Sequence, residues 1–334
     1  MLIKSYQATK ERNSMKTPKG EELINRYKKN YGIPSEVNMT EEMVLFHWNL
    51  ELQLTAELLN STPANRWEVF DRCYSTLYSR VDWLNRHTPT GTTTPPDQLY
   101  FEWPVLIGQQ PKKVYEIGSG NGELINFLAE QGHDCTATEI TIERGHKNDS
   151  TGNRIAWHQT DGVHCDKFES PSSYDVVISN QVVEHLHPDD VVEHFKSIHA
   201  ILKKSGKYIL NTPHAFFGPS DLSRVFNCDE SQCMHLKEYT FTEIRKIALR
   251  GGFRKVGFVV QVPRKIQKYF GVRSSITASS AYLMYLIFAE YCALILPRST
   301  RKKFFQRLNY PFFSSSIFVV AEKTAPELDS LEQK

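Results

Sequence analysis

Three glycines in five positions, Gly118, Gly120 and Gly122, separate an apolar run from a helical pattern in VYEIGSGNGELINFLAEQGHDCTATEI, Val114 to Ile140. A backbone without Cβ atoms can turn sharply and bring its N–H groups close to a ligand. A strand, glycine turn and helix in this order therefore form a cradle for an anionic or strongly polar group. Glu116 stands two residues before the first glycine. A carboxylate there repels a pyrophosphate and suits a ligand carrying an ammonium group. The nicotinamide-dinucleotide fingerprint also requires Gly or Ala where this chain has Glu123. Glu139 follows the last glycine by 17 residues, at the end of a second strand, where a carboxylate can take both hydroxyls of a ribose. A phosphate-poor, zwitterionic ligand fits this turn better than a dinucleotide.

Further chemistry lies downstream. Thr160-Asp161-Gly162 follows a third strand, where an acid and a small residue can meet an adenine edge. A fourth strand ends in Ser179-Asn180-Gln181 and runs into Val182-Val183-Glu184-His185. His185, His187, His214 and His235, with Glu184, fall in segments expected at the carboxyl edge of a sheet, where a base or a metal could assist proton removal.

The elements that position these residues alternate regularly. Strands are expected at Lys113 to Ile117, Cys135 to Glu139, Arg154 to Gln159, Tyr174 to Ser179, Lys207 to Asn211, Lys255 to Val262 and Ser314 to Glu322. YDVVIS at Tyr174 has the unbroken apolar character of a parallel strand buried on both faces. Helices are expected from Asn121 to Gln131 and from Pro188 to Lys204, the latter with Val191, Val192, Phe195, Ile198 and Leu202 inward. Another follows the capping box Thr240-Phe241-Thr242-Glu243. The fold class predicted is α/β, a Rossmann-like seven-stranded, mostly parallel sheet with helices on both faces. Ahead of it, Met43, Phe46, Leu50, Leu54 and Leu58 form one helical stripe, and Trp67, Phe70, Tyr74, Leu77, Val81 and Leu84 form another. The Thr/Pro-rich segment from Asn85 to Gln98 reads as a linker. The expected division is a helical region with linker at 1–98 and a catalytic domain at 99–334. That domain carries insertions at 212–239 and 263–313 that would cap the substrate.

The motifs in order, EIGSGNG, ATEI, TDG, YDVVISNQVVEHLHPDD and SGKYILNTP, resemble the class I S-adenosylmethionine-dependent methyltransferases. The likeness is to their small-molecule branch, which includes the ubiquinone-biosynthesis O-methyltransferases. It covers roughly Val105 to Val262 and the final strand. It implies S-adenosyl-L-methionine as cofactor, with Glu116, Gly118, Ser119, Gly120, Asn121 and Gly122 on its methionine moiety and Glu139 on the ribose. Asp161 and Gly162 would meet the adenine, and Asn180 and Gln181 would line the rear. Glu184-His185 resembles an E-H pair that some relatives use with a divalent metal. Here Gln181 stands where small-RNA methyltransferases of that kind have a further acid, and a neutral amide disfavours a hard cation. The catalytic candidates are then His185, His214 and His235. The acceptor expected is a small-molecule or glycan-like compound, methylated at oxygen. Alternatives are transfer to nitrogen or carbon, or a non-catalytic cofactor-binding protein of the same fold.

Composition is consistent with this. The 334 residues are 40% hydrophobic with a net charge of +2, enough for a core and no bulk attraction to nucleic acid. No N-P-P-Y motif of amino-directed nucleic-acid methylases follows the fourth strand. The six cysteines show no C-x-x-C pair, and reduced thiols in a cytoplasmic protein are expected. The N-terminus lacks the apolar stretch of a secretory signal, and the apolar run from Ala281 to Leu296 is too short to span a bilayer. With the basic residues that follow it, the stretch 281–307 either packs as a lid or makes peripheral membrane contact.

Overall fold

The computed structural model describes residues 17–87, 95–109, 111–141, 155–261, 276–297, 300–301 and 315–324. The expected linker over 88–94, the basic run at 298–299 and 302–307 and the N-terminal sixteen residues lie outside the described residues. The chain forms two compact units. One comprises Met1–Thr93 with Phe217–Glu238, the other Thr94–Phe216 with Tyr239–Lys334.

The first unit is helical, with its main helices at Gly20–Tyr31, Glu41–Leu59 and Arg66–Arg80. Thr40 caps the second through a bond from the Met43 amide. The buried arc of this helix is Val44, His47, Glu51, Leu54, Thr55 and Leu58; of the predicted stripe Leu54 and Leu58 lie in it, Met43 and Leu50 pack half-buried on the core, and Phe46 gives way to His47 and Glu51. The cause is a buried polar chain. Trp83 Nε1 donates to the Tyr27 hydroxyl at 3.2 Å, Tyr27 bonds His47 Nδ1 at 2.8 Å, and His47 Nε2 bonds Glu51 Oε1 at 2.7 Å. An indole only donates and an ionised carboxylate only accepts, so the chain has one direction and every member is satisfied. Most of the insertion expected beside the sheet belongs to this unit. Leu222, Val225 and Phe226 complete its core, Trp48 stacks on Phe226 at 4.2 Å, and Arg26 donates to the Arg224 carbonyl. Its hydrophobic side chains are used for packing, which composition alone could not distinguish from a pocket wall.

The second unit carries a sheet of eight strands. They are β1 (Lys113–Ile117), β2 (Asp134–Glu139), β3 (Ile155–Gln159), β4 (Tyr174–Asn180), β5 (Leu202–Pro213), β6 (Lys255–Gln261), β7 (Ile276–Ser279) and β8 (Ser316–Glu322). The order is β3-β2-β1-β4-β5-β8-β6-β7. The first five positions in that order are joined in parallel, whereas β8 is antiparallel to both β5 and β6. Seven strands were expected. The eighth, β7, lies within the second insertion and pairs antiparallel with β6, and its four residues are too short for periodicity to reveal.

The helix expected from Pro188 starts at Val191 and ends at Ile201. Leu202 already belongs to β5, opposite Tyr174. In β4 every residue from Val176 to Ser179 is buried. One sheet face packs on Trp103, Leu106, Leu124, Ile125 and Leu128. Elsewhere in this unit Phe195, Tyr208 and Phe253 meet edge to face or tilted, geometries that ring quadrupoles favour. The predicted capping box at Thr240 and Glu243 is present on the helix Phe241–Arg250. All six cysteines are free thiols.

Candidate functional site

The glycine turn joins β1 to the helix Glu123–Glu130. Gly118, Gly120 and Gly122 all take left-handed φ values of 66°, 55° and 80°, which cost a side-chain-bearing residue about 1 kcal/mol or more. A Cβ at Gly118 would lie 2.7 Å from Val182 Cγ2, whereas one at Gly120 would meet nothing within 4 Å. The turn is thus packed at its base and open at its middle. Ser119 is buried, and its amide donates to the Thr138 carbonyl at 2.8 Å, which ties the turn to β2. Asn121 is exposed.

Two carboxylates flank this turn. Glu139, at the end of β2, accepts from the Gly120 amide at 2.8 Å and from the Ile140 amide at 2.9 Å, one on each oxygen. Each oxygen keeps a second lone pair for a hydroxyl. Glu116 is 2% exposed, and its Oε2 has no hydrogen-bond partner among the described residues. Burial pushes its carboxyl up to about 8; the charge of Glu139 adds to the shift and the Ser119 hydroxyl opposes it. A buried carboxylate without a cation is costly, so this position fits a ligand that brings one.

At the other strand ends, Asn180 Oδ1 accepts from Asn211 Nδ2 at 3.0 Å. Gln181 is exposed and left-handed at φ 58°, and its amide donates to the Asn211 carbonyl at 2.8 Å. This bend delivers Val182 against Gly118, so the end of β4 supports the glycine turn. Asp161 closes its own loop. Its Oδ1 accepts from the Val163 and His164 amides at 2.9 and 2.8 Å, and its Oδ2 pairs with His164 Nδ1 at 2.6 Å. Gly162, at φ 66°, backs onto Ile117.

The structure brings Glu116, Gly118 to Gly122, Glu139, Gly162 and the Asn180-Gln181 bend to one end of the parallel strands. The histidines fare differently. His185 is half-buried on the short helix Val183–His185, directly after that bend, and beside it Glu184 is fully buried with Oε2 accepting from Thr212 Oγ1 at 2.8 Å.

His214 is fully buried, its Nε2 2.6 Å from Glu290 Oε1, and its Nδ1 accepts from the Phe216 amide at 3.1 Å. The amide can only donate, so Nε2 carries the proton and Nδ1 is engaged. The expectation that His214 meets an acceptor is therefore corrected, since the ring has no accessible lone pair. Its partner Glu290 also caps the helix Phe241–Arg250 through the Phe241 and Thr242 amides. His235 belongs to the helical unit, where Nδ1 lies 3.0 Å from Glu238 Oε1.

Three contributors were missed in the sequence. The Tyr100 hydroxyl donates to Glu123 Oε2 at 3.1 Å, anchoring the helix that follows the glycine turn. Asn211 holds the β4 bend. His194 is fully buried, its Nδ1 bonding the Gly162 carbonyl at 2.6 Å and its Nε2 the Tyr208 hydroxyl at 2.9 Å, which in turn pairs with Ser179 Oγ at 2.6 Å. A carbonyl only accepts, so Nδ1 carries the proton, Nε2 accepts from Tyr208, and Tyr208 accepts from Ser179. No spacing rule marks a histidine inside an apolar helix face as the support of a loop 32 residues earlier.

Burial lowers the His194 pKa to about 4, against a rise from its bond to Gly162. Between pH 6.5 and 4 the unfolded chain takes up a proton that the folded state refuses. Stability from this group is complete above 6.5 and lost as pH falls, by about 3 kcal/mol. Urea titrations across this range should show His194→Gln losing this acid-dependent component relative to wild type; parallel profiles for the two proteins would refute the assignment.

Comparison with known proteins agrees with this geometry. A family model described as a methyltransferase domain matches residues 97–257. A ubiquinone biosynthesis O-methyltransferase of Aliivibrio fischeri is 30% identical over 112 residues, 32% of this chain and 43% of that protein. The chain thus spans less than half the length of the curated relatives it matches. Among solved structures, a 1,6-didemethyltoxoflavin N1-methyltransferase of Burkholderia thailandensis is similar at TM-score 0.47 and 16% identity, covering 79% of this chain and 92% of that one. Phosphoethanolamine N-methyltransferase 2 of Haemonchus contortus is similar at TM-score 0.46 and 14% identity, covering 79% and 61%. Residues 97–257, which carry the glycine turn and strands β1 to β5, thus match a methyltransferase domain.

Proposed function

We propose that the protein transfers a methyl group from S-adenosylmethionine to a hydroxyl of a small-molecule or glycan-like acceptor. The observation that carries the cofactor assignment is the buried Glu116 carboxylate with an unpartnered oxygen beside a glycine turn that is open at Gly120. In this reading Glu116 holds the ammonium of the cofactor, the turn Gly118, Ser119, Gly120, Asn121 and Gly122 lies against its amino-acid end, and Glu139 takes the ribose hydroxyls. Asp161 and Gly162 border the adenine, and Asn180 with Gln181 forms the rear wall. The cofactor supplies an electrophilic methyl on a sulfonium. Methyl transfer is an in-line displacement, so the chain contributes chiefly by orienting the acceptor.

A hydroxyl acceptor must also lose its proton, and His185 is the base this reading assigns. It follows the β4 bend directly, while the fully buried His214 is committed to Glu290 and Phe216. The curated relatives that match part of the chain are themselves O-methyltransferases, which favours oxygen over nitrogen or carbon.

Screening hydroxyl compounds and their amine analogues with methyl-labelled cofactor tests the reaction. Labelled methyl ethers are expected. Label only in amines would move the assignment to nitrogen, and no product with any acceptor would leave a cofactor-binding protein. With the acceptor in hand, His185→Ala should lower kcat by about 100-fold or more while cofactor affinity stays unchanged. Undiminished turnover in that variant would remove His185 as the base.

A further inference from the structure

The helix Ser280–Ala293 presents two contrasting faces. Leu283, Leu286, Glu290 and Ala293 are buried, with Glu290 locked to His214 and to the amides of Phe241 and Thr242. On the opposite face Met284, Phe288, Tyr291 and Ile295 follow a helical spacing of four, three and four residues, continued as far as the turn beyond the helix. Phe288 is 65% exposed, Tyr291 73% and Ile295 83%, and Tyr285 and Leu294 flank them, also exposed. No charged residue stands on that face, because the helix has a single ionisable acid, Glu290, and it points inward. A surface helix normally does the reverse, and contiguous exposed apolar surface of this kind marks an interaction site.

The sequence on either side of it is equally one-sided in charge. From Pro263 to Phe313 there are nine Lys and Arg and one acid, Glu290, which leaves the rest of the chain with 31 Lys and Arg against 37 Asp and Glu. A nearly neutral protein thus concentrates its positive charge in the segment that bears the apolar face. Arg301 is fixed at the end of the helix, where its guanidinium donates to the carbonyls of Ala293 and Leu296.

We propose that this face docks on an anionic lipid bilayer, with the aromatic and aliphatic side chains seated at the headgroup level and the positive charge carried by the same stretch of sequence drawn to the negative surface. Two copies meeting through the same face would bring two such positive segments together, which charge repulsion opposes. An anionic membrane reverses the sign of that interaction. The helix lies on the surface without crossing it, since no described helix is long and apolar enough to span a membrane. This inference is independent of the reaction assigned above.

Co-sedimentation of the full chain with vesicles tests it. Binding is expected to mixed phosphatidylcholine–phosphatidylglycerol vesicles at low salt, weaker at physiological salt, and much weaker to phosphatidylcholine alone. Phe288→Asp with Ile295→Asp should reduce binding at least about tenfold. Both side chains are exposed, so the thermal melt of this variant should match wild type, and that match separates lost docking from lost folding. Absence of binding to the anionic vesicles at either salt would overturn the proposal. So would binding unaffected by the double substitution, or concentration-dependent dimerisation through this face without vesicle binding.

Discussion

Glu116→Gln is expected to weaken S-adenosylhomocysteine binding by about 100-fold at pH 8 and yet to raise the melting temperature of the free protein. The first effect follows from removing the charge that faces the ligand ammonium. Loss of one partner from a buried, hydrogen-bonded ion pair costs about 2–5 kcal/mol. The second follows from the same burial. The folded carboxyl titrates near 8 instead of 4.5, so between those values the unfolded chain releases a proton that the folded chain keeps. Stability from this group is therefore complete below 4.5 and falls as pH rises through 8, by up to about 5 kcal/mol. Glutamine does not ionise and escapes that loss.

Binding must also expel the proton. Wild-type affinity is expected to fall about tenfold for each pH unit below 8, while the glutamine variant shows no such slope and approaches wild type in acid. Calorimetry over a pH series with paired urea melts measures both. A variant that loses stability and affinity together would show Glu116 to be a structural residue.

Gly120→Ala should separate folding from binding in a different way. The left-handed backbone at Gly120 makes alanine strained by about 1 kcal/mol, but its Cβ meets no protein atom within 4 Å. The variant should fold with a small drop in melting temperature and lose about 100-fold or more in cofactor affinity, because the methyl occupies the opening the ligand needs. At Gly118 a Cβ would collide with Val182, so Gly118→Ala should lose stability as well. If Gly120→Ala binds the cofactor as wild type does, the open middle of the turn is not where the ligand lies.

The glycine turn and the carboxylates were legible in the sequence because their requirements are local. Left-handed backbone needs glycine, and a parallel strand buried on both faces needs an unbroken apolar run such as Tyr174 to Ser179. The capping box at Thr240 was legible for the same reason. What could not be read depends on contacts distant along the chain. The second helix turned its polar His47 and Glu51 inward because Tyr27 and Trp83 were there to satisfy them. His214 looked like a loop base until Glu290, 76 residues later, took its proton-bearing nitrogen. The pairing of His194 with Gly162 likewise leaves no trace in spacing. The Leu222 to Phe226 segment resembled a pocket wall, because apolar residues serve packing and binding equally.

The central claim is that a carboxylate-flanked glycine turn grips a nucleoside joined to an amino acid. Isothermal titration of the full chain with S-adenosylhomocysteine and, separately, with NAD tests this most directly. One molecule of S-adenosylhomocysteine should bind per chain, with a proton released below pH 8, and NAD should give no heat of binding. Saturable binding of NAD, or a silent titration with S-adenosylhomocysteine, would contradict it.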